Sequence, residues 1–349
     1  MIPDYIQTTS LNAISQAIRP YFGEKSVHSW KDLFKISHAT FLIHFGHLAQ
    51  HPRNYLLDGT DNFHWPGPPY NSRVWAGGSI TWDADAHPIV FCSPNAYVTS
   101  APWHPKNLYK STVKQLVCQE AIISAPSADV VKNGEHRNLK VRTQRIYGIS
   151  DASTRMGEDI TNPTITEYRD LVFLPTKTAA EAEKTLACPD RVIKPAISPD
   201  FSHKLTPQQP LLAEFSALTH NAHRIHLDRS YAREEGFRNL VVHGPLSLYL
   251  MIRYLEIVLS RHFENQGKIV QLDYRNLAPL FCDEEMTICL RKQVAETLAA
   301  GESASAPSAS APAEDQAPRL KKEGKEQIWD VWITGKEGGY AVKGTAKVV

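Results

Sequence analysis

A long apolar segment in the second half of the chain constrains the fold more than any other feature. Residues 246–262 are apolar enough to form a buried helix. Apolar and polar residues then alternate with the period of a strand, at 270–274, 286–290, 328–334 and 340–348. One buried helix wrapped by an antiparallel sheet is the economical arrangement, so we predict an α+β fold.

The first half shows the same design less clearly. A helical pattern covers about residues 38–57, and strand-like runs follow at 78–82, 113–124, 139–147 and 165–174. The dipeptide Asn133-Gly134 is a turn signal between two of these runs. The total of 349 residues is too long for one small core and indicates two domains.

We therefore predict an amino-terminal domain at residues 1–175 and a second domain at residues 211–349. Residues 176–210 contain Pro, Ala, Lys and Glu without strong periodicity, which predicts a linker. Residues 299–318 are rich in Ala, Ser and Pro, a composition that predicts a disordered surface insertion.

Composition excludes several classes of function. The balance of 38 basic and 37 acidic residues gives no electrostatic reason to expect nucleic acid as a partner. The five cysteines are scattered and without CxxC spacing, so neither a disulfide framework nor a zinc ribbon is indicated. No apolar run approaches the ~20 residues of a membrane span, and no secretory or clear mitochondrial leader opens the chain. We expect no membrane insertion and no secretion.

Two polar motifs carry the chemistry. The first, FSALTHNAHRIH at residues 215–226, places Asn221 five residues before His226, so a turn could direct both side chains into one pocket. An imidazole with the ordinary pKa of ~6.5 exchanges a proton near neutrality. The second motif, VVHGPL at residues 241–246, places Gly244 at the start of the apolar helix, where an unpaired N–H can polarise a carbonyl oxygen. Together they suggest a thioester hydratase or dehydratase.

These motifs resemble the signature of MaoC-type hydratases, which runs roughly Ser-Gly-Asp-x-Asn-Pro-x-His with a later His-Gly before the central helix. Asn221 falls where that signature has its Asp, and His226 falls on its His. The fuller string is similar to the hydroxyacyl-thioester dehydratase type 2 branch and to mesaconyl-C4-CoA hydratases, with further similarity at residues 59–61, 73–78 and 274–280. The chain departs from that branch at His220, which is usually aromatic, and at residues 72–75, which are usually Arg-Arg-Met-Trp.

The resemblance implies a double hot-dog fold, in which each unit is an antiparallel sheet wrapped on a helix. Residues 211–349 would form the catalytic unit, and residues 1–175 a non-catalytic unit that shapes the acyl pocket. No cofactor and no metal are implied. The implied catalytic residues are Asn221, His226 and Gly244, and the implied substrate-binding residues are Ser216, Thr219, His223 and His243.

The implied reaction is reversible dehydration of a (3R)-3-hydroxyacyl thioester to a trans-2-enoyl thioester. The substrate would be carried by acyl carrier protein or CoA. His226 would be the sole base, because Asn221 cannot take up a proton and can only hold water or the hydroxyl. The resemblance also implies a mitochondrial location, with the cytosol as the alternative, and a homodimer is kept open.

Several alternatives remain at the level of sequence. Hydration of a short branched dicarboxyl-CoA such as mesaconyl-C4-CoA would need an arginine for the distal carboxylate, and the candidates are Arg224, Arg253 and Arg275. A non-enzymatic acyl-thioester binding protein is a third possibility. A metal site is a fourth, because His220, His223 and His226 recur every three residues with His243 nearby, although no HExxH or cysteine pair accompanies them.

Simpler structural interpretations exist for other residues. The hydroxyl groups of Ser216 and Thr219 could serve simply to form hydrogen bonds with nearby backbone groups. Arg73, Trp75 and Gly77 are interpreted as core and turn residues of the amino-terminal domain.

Overall fold

Ten strands form one antiparallel sheet in the part of the chain that the structure describes. This computed structural model describes residues 2–4, 8–23, 37–43, 55–62, 64–83, 115–125, 131–132, 135–150, 160, 163–188, 192–263, 267–293 and 326–349. The strands of the first half are β1 (Ile2–Asp4), β2 (Tyr70–Trp82), β3 (Gln115–Ser124), β4 (Val131–Lys132), β5 (Glu135–His136), β6 (Leu139–Ser150) and β7 (Ile165–Pro175). Among the described strands, β4 and β5 pair with each other and with no other strand.

The second half completes the same sheet. Its strands are β8 (Phe201–Leu205), β9 (Ile269–Asn276), β10 (Met286–Lys292), β11 (Gln327–Thr334) and β12 (Tyr340–Val348). The order across the sheet is β1-β3-β6-β7-β2-β9-β12-β11-β10-β8, so five strands of each half lie side by side. The four strands predicted from period-two alternation in the second half are confirmed as β9 to β12.

The described residues also form the helices α1 (Thr8–Ile18), α2 (Ala179–Ala187), α3 (Gln209–Leu218), α4 (Arg229–Glu234) and α5 (Gly244–His262). Helix α5 is the predicted apolar helix, and it packs on β10, β11 and a 3-10 turn at Thr40–Ile43. It begins two residues earlier than the apolar pattern because Pro245 is tolerated in a first turn, where its missing N–H has no intrahelical partner. No helix in the described ranges is long and apolar enough to cross a membrane.

The two halves join where β2 pairs with β9. Gly77 lies opposite Arg275, and Gly78 lies opposite Tyr274. A Cβ on Gly77 would lie 2.5 Å from the carbonyl oxygen of Tyr274 on β9. Only glycine therefore allows the strands to approach this closely at the junction.

The amino-terminal strand predictions are also confirmed, although β2 starts at Tyr70 and is longer than the predicted run. The predicted helix at 38–57 is wrong at its far end, because Tyr55 forms an isolated bridge with Asp61. The described part of that segment otherwise contains only the 3-10 turn at Thr40–Ile43. The Asn133-Gly134 turn lies outside the described residues, but β4 and β5 pair on either side of it.

The prediction of a linker at residues 176–210 is wrong for two stretches. Helix α2 begins with a capping box in which Thr178 and Glu181 bond reciprocally. Strand β8 pairs with β10 at the edge of the sheet, from Phe201 opposite Leu290 to Leu205 opposite Met286. The division into two units stays a prediction, and the insertion at residues 299–318 lies outside the described residues.

Candidate active site

A cavity of about 380 Å³ is lined by residues of both halves. The second half supplies five of the predicted site residues, which are Thr219, Asn221, His223, His226 and Gly244. The structure therefore brings together the three predicted catalytic residues and two of the four predicted substrate-binding residues.

The active-site loop, residues 219–226, leaves the end of α3 through a sharp turn. His220 has a left-handed backbone with φ of 52°, and its N–H donates to the Ala217 carbonyl at 3.3 Å. The N–H of Asn221 donates to the Ser216 carbonyl at 2.9 Å. This pair of bonds is the Schellman arrangement that ends many helices. It reverses the chain and places Asn221 on the cavity wall.

The orientation of the Asn221 amide is fixed by a local bond. Its Oδ1 accepts the backbone N–H of His223 at 3.1 Å. Because a backbone N–H can only donate, the oxygen must be the atom that faces it. The amide nitrogen is then the polar group that Asn221 offers to the cavity, and it is a donor.

His226 is held in one tautomer. It ends a 3-10 turn at Arg224–His226, and its Nδ1 lies 2.7 Å from the carbonyl oxygen of Val241. A carbonyl oxygen can only accept, so Nδ1 carries the proton. Nε2 therefore holds the lone pair, and it is the nitrogen available to a ligand in the cavity.

Ser216 and His243 lie behind this base and do not line the cavity. The ring of His243 stacks on His226 with 3.7 Å between centroids. Ser216 Oγ lies 2.8 Å from His243 Nε2, and both residues are buried. His243 thus packs directly on His226, and Ser216 contacts His243. The substrate-binding role that the sequence resemblance implied for these two residues stays a prediction.

All three imidazoles of the site are neutral at pH 7. Burial lowers the pKa of His226 to about 3, and His223 adds to this effect while the bond to Val241 opposes it. Burial and then Arg73 lower the pKa of His223 to about 3. Burial, followed by the other two imidazoles, holds the pKa of His243 well below its usual range. The expected ordinary pKa of His226 is therefore wrong, although the neutral form is the one that a base requires.

The start of α5 offers a backbone donor that has no partner among the described residues. His243 precedes the helix without a side-chain hydrogen bond that caps it, and Pro245 has no N–H. The N–H of Gly244 is thus available at the positive end of the helix dipole. A Cβ on Gly244 would lie 3.0 Å from Asn276 Nδ2 and 3.5 Å from Trp75 Cβ, so a side chain here would crowd the cavity wall.

A second wall of the cavity consists of charged residues of the first half, which the sequence did not predict as site residues. Arg73 Nη2 lies 2.7 Å from Asp61 Oδ2. Arg145 Nη2 lies 2.9 Å from Glu120 Oε2, and both of these side chains are almost fully buried. All four side chains line the cavity.

Arg169 brings a third guanidinium to this wall. Its Cζ lies 4.5 Å from the centroid of the Trp75 ring, and its Nε donates to Glu167 Oε1 at 2.7 Å. The hydroxyl of Tyr147 donates to the other oxygen of Glu167 at 2.6 Å. Since Trp75 also packs beside Gly244, Arg169 is separated from the start of α5 by one indole ring.

A sequence signal for this wall exists in β6. Its inward positions are Val141, Thr143, Arg145 and Tyr147, all of which are buried. Side chains of a strand alternate between its two faces, so residues two positions apart share a face. A charged residue that shares a face with the buried apolar residues must point into the protein as they do. Such a residue needs a buried partner, and Glu120 is paired opposite Arg145 on β3.

The loop at residues 58–61 of the first half packs against the active-site loop. The Asp58 carbonyl accepts the Arg224 N–H at 2.8 Å. Gly59 has a left-handed φ of 83°, and a Cβ on it would lie 2.1 Å from the Ala222 carbonyl oxygen. Asp58 Oδ2 lies 3.6 Å from His223 Nε2.

The arginines proposed from sequence do not line the cavity. Arg224 pairs with Asp228, Arg253 pairs with Glu256, and Arg275 is exposed on β9. The described residues also contain no group of three or more His, Cys, Asp or Glu side chains arranged to hold a metal ion.

Comparison with known proteins identifies the family. A family model described as hydroxyacyl-thioester dehydratase type 2 matches residues 40–282, more than half of the chain. The chain belongs to the hydroxyacyl-thioester dehydratase type 2 family. This is a family of hydro-lyases, as the resemblance implied.

Two curated relatives carry related names. The mesaconyl-C(4)-CoA hydratase of Chloroflexus aurantiacus is 40% identical over 118 residues, which are 34% of this chain and 38% of that protein. The mitochondrial hydroxyacyl-thioester dehydratase type 2 of Schizosaccharomyces pombe is 24% identical over 251 residues, 70% of this chain and 75% of that protein. The match to the first relative thus spans well under two thirds of its length.

Solved structures confirm the fold. A MaoC-like dehydratase superposes with a TM-score of 0.57 at 11% identity, covering 99% of this chain and 95% of that chain. A MaoC-like dehydratase from Phytophthora capsici superposes with a TM-score of 0.53 at 14% identity, covering 98% of this chain and 92% of that chain. The predicted double hot-dog architecture in the α+β class is therefore correct.

Proposed function

We propose that this protein catalyses the reversible dehydration of (3R)-3-hydroxyacyl thioesters to trans-2-enoyl thioesters. One observation carries the proposal: His226 and the start of α5 line the same cavity, and Val241 holds His226 in the tautomer whose Nε2 accepts a proton. Asn221, which also lines this cavity, adds an amide donor. A base, a carbonyl-binding donor and a hydroxyl-binding group are what this reaction needs.

In the dehydration direction, the thioester oxygen binds the Gly244 N–H and His226 Nε2 removes the proton at C2. The electrons of the C2–H bond form the C2–C3 double bond, and the C3–O bond breaks with its electrons on oxygen. The imidazolium returns the same proton to that oxygen and water leaves. The Gly244 N–H stabilises the charge that develops on the carbonyl oxygen.

The low pKa of His226 favours the second proton transfer. A buried imidazolium is a strong acid, so it releases its proton readily to the departing hydroxyl. Asn221 cannot exchange protons and orients the hydroxyl through its amide nitrogen. One histidine serves both transfers because the proton that it removes from C2 is the proton that it returns to the hydroxyl.

We extend the proposal to the carrier of the acyl group, the cellular location and the oligomeric state. An acyl carrier protein or CoA would carry the thioester. The relatives of the two yeasts are named as mitochondrial, which supports a mitochondrial location over the cytosolic alternative. A homodimer stays a prediction.

The test is an assay of the purified protein with crotonyl-CoA, longer enoyl-CoAs and an enoyl-acyl carrier protein, following loss of the enoyl absorbance. We expect His226→Ala to lower the rate at least ~100-fold with unchanged thermal unfolding, since it removes the base. His262→Ala, which alters an imidazole packed on Phe201, is the matched control. Activity of His226→Ala within a few-fold of wild type would contradict the mechanism, and a wild type that binds but never converts thioesters would favour a binding protein.

A second candidate is hydration of a short acyl-CoA that bears a distal carboxylate, as in mesaconyl-C4-CoA. The specific observation is that three guanidinium groups line the cavity, those of Arg73, Arg145 and Arg169, each beside a carboxylate of the same half. A long alkyl chain gains little from such a wall, whereas a carboxylate accepts bidentate bonds from a guanidinium. Arg169 is suitably placed because only the Trp75 ring separates it from the start of α5.

The two candidates are distinguished by substrate preference. For the second, kcat/KM for mesaconyl-C4-CoA should exceed that for crotonyl-CoA, and Arg169→Met should reverse the preference. Arg275→Met, at an exposed arginine of β9, is the control. Equal rates for the two substrates, unaffected by Arg169→Met, would leave the simple dehydratase as the better description.

A further inference from the structure

The cavity wall beside Gly244 carries a side-chain amide that the proposed mechanism does not use. Asn276 is the last residue of β9, and it lines the cavity. Its Nδ2 lies 2.7 Å from the carbonyl oxygen of Trp75. Because a carbonyl oxygen can only accept, the atom that faces it must be the amide nitrogen. The Trp75 carbonyl thereby fixes the orientation of the Asn276 side chain.

This amide nitrogen keeps one hydrogen for a ligand. A primary amide carries two hydrogens on its nitrogen, and the Trp75 carbonyl accepts one of them. Among the described residues, none accepts the second hydrogen. Asn276 and the Gly244 N–H are thus alike, since both are donors at the cavity wall without an acceptor in the described part of the protein.

The two donors lie close enough to share one acceptor. A Cβ on Gly244 would lie 3.0 Å from Asn276 Nδ2. A Cβ lies about 2.5 Å from the nitrogen of its own residue, so the two donor nitrogens are at most about 5.5 Å apart. An oxygen that lies about 2.9 Å from each of two nitrogens can join nitrogens up to about 5.8 Å apart. A single carbonyl oxygen can therefore accept from both donors.

The surroundings of Gly244 explain why glycine occupies this position. Its φ is not in the left-handed region, so the backbone alone would allow other residues. The restriction comes from its neighbours, because Asn276 Nδ2 and Trp75 Cβ lie in the space that a side chain would need. Glycine thus leaves the space between the Asn276 amide and the start of α5 open.

The reaction benefits from a second donor at this place. A carbonyl oxygen has two lone pairs, and the Gly244 N–H binds only one of them. As negative charge develops on the thioester oxygen, a lone pair without a donor in a closed site is poorly stabilised. The indole N–H of Trp75 is not available, because it donates to the Gly77 carbonyl at 3.0 Å. Asn276 is the neighbouring side chain that still has a hydrogen to donate.

We propose that Asn276 Nδ2 donates the second hydrogen bond to the thioester carbonyl oxygen, so that Gly244 and Asn276 form a two-donor oxyanion site. The proposal rests on the dehydratase function proposed above and adds a catalytic residue to it. The Trp75 carbonyl, which belongs to the first half of the chain, orients the donor.

Asn276→Leu tests the proposal because it removes the donor at similar volume. We expect kcat for hydration of crotonyl-CoA to fall at least ~100-fold, with KM changing less than about fivefold. Exchange of the C2 hydrogens of butyryl-CoA with D₂O should fall in parallel, because it places charge on the same oxygen. Asn239→Leu is the matched control, since the Asn239 amide donates to the Cys282 carbonyl at 2.8 Å away from the cavity.

An infrared measurement separates a donor from a residue that only holds Trp75 in place. The probe is butyryl-CoA labelled with ¹³C at the thioester carbonyl, whose stretching frequency falls as hydrogen bonds polarise it. We expect the bound frequency to rise in Asn276→Leu and to stay at the wild-type value in His226→Ala, which does not change the carbonyl contacts. Asn276→Ala, which adds no bulk, should shift the frequency in the same direction and replaces Asn276→Leu if that variant folds poorly.

Two results would overturn the proposal. One is an Asn276→Leu enzyme that hydrates crotonyl-CoA within about threefold of wild type. The other is a loss of activity with an unchanged carbonyl frequency, which would assign Asn276 to the packing of Trp75. Failure of the proposed function differs from both, because wild type would then neither hydrate crotonyl-CoA nor exchange the C2 hydrogens of butyryl-CoA.

Discussion

Three imidazoles, His223, His226 and His243, lie against one another in the interior, and burial is the largest cause of the lowered pKa of each. Neutral imidazoles stack without repulsion, so the cluster is compatible with a close-packed site. Protonation of one ring would place a charge in a poorly solvated position.

This cluster predicts a loss of stability in acid. In the unfolded chain each histidine takes up a proton near its ordinary pKa of ~6.5, whereas the folded protein holds the pKa of His223 and His226 at about 3. The stabilisation is complete above pH ~6.5 and is lost as the pH falls toward 3, by up to about 1.4 kcal/mol per pH unit for each histidine. Urea unfolding between pH 7 and pH 4 measures it. His243→Asn should reduce the slope, and an unchanged slope would show that this ring is not buried in its neutral form.

Asn221 gives a second prediction at this scale. Asn221→Ala should be strongly impaired because the hydroxyl loses its hydrogen-bond partner. Asn221→Asp should keep appreciable activity because one oxygen still accepts the His223 N–H and the other can accept the hydrogen of the substrate hydroxyl. The new carboxylate would raise the pKa of His226 by favouring the imidazolium. Since the base must be neutral, the acid limb of the pH–rate profile should move to higher pH. An Asn221→Ala enzyme as active as wild type would exclude this residue from the site.

The sequence predicted these catalytic candidates because two short motifs contain them, and local spacing limits where their side chains can point. It could not predict Asp58, Arg145 or Arg169, because their contribution depends on strand register between distant segments. It also could not separate His223 from Ser216, since only the folded loop shows which one lines the cavity.

The sequence predicted those helices and strands whose apolar residues recur with a clear period. Helix α5 was predicted because its residues are apolar over several turns, and strands β9 to β12 because apolar and polar residues alternate in them. Strand β8 was missed because only Leu205 of its five residues is fully buried. Strand β8 lies at the edge of the sheet because it pairs with β10. The local sequence of β8 does not indicate this pairing.

The connection between β10 and β11 gives a prediction for an element. These strands are neighbours, with Lys292 opposite Trp329, and the Gln293 N–H donates to the Ile328 carbonyl at 2.8 Å. The ends that the connection must join therefore already lie together. Replacing residues 299–318 by a short Gly-Ser bridge should leave the melting temperature within about 2 °C and turnover unchanged, because closure entropy depends weakly on loop length. A fall of the melting temperature well beyond that would mean that this segment packs on the fold.

At the scale of the whole molecule, the junction of β2 and β9 holds the two walls of the cavity together. The Asn276 amide on β9 donates to the Trp75 carbonyl on β2 at 2.7 Å, and both residues line the cavity. The wall that carries Arg169 is thereby fixed relative to the half that carries His226. Sequence alone predicted two similar units but not that their sheets would fuse.

Gly77→Ala tests this junction. The added methyl would lie 2.5 Å from the Tyr274 carbonyl oxygen, a backbone atom that moves only if β2 and β9 separate. We expect a loss of about 3 kcal/mol in the free energy of unfolding, together with a fall in turnover. Gly335→Ala, where the nearest atom is at 3.7 Å, is the matched control and should change little. Equal stability of the two variants in urea would show that the junction tolerates more space than its geometry indicates.

The placement of the arginine wall in the first half has a consequence for protein engineering. Arg145 and Arg169 stand on β6 and β7, whereas His226 and Gly244 stand on segments of the other half. A combinatorial library confined to inward positions of β6 and β7 would vary the acyl selectivity while every member retained the same proton-transfer residues. Variants from such a library would therefore be expected to differ in which thioester they accept far more than in whether they turn over at all.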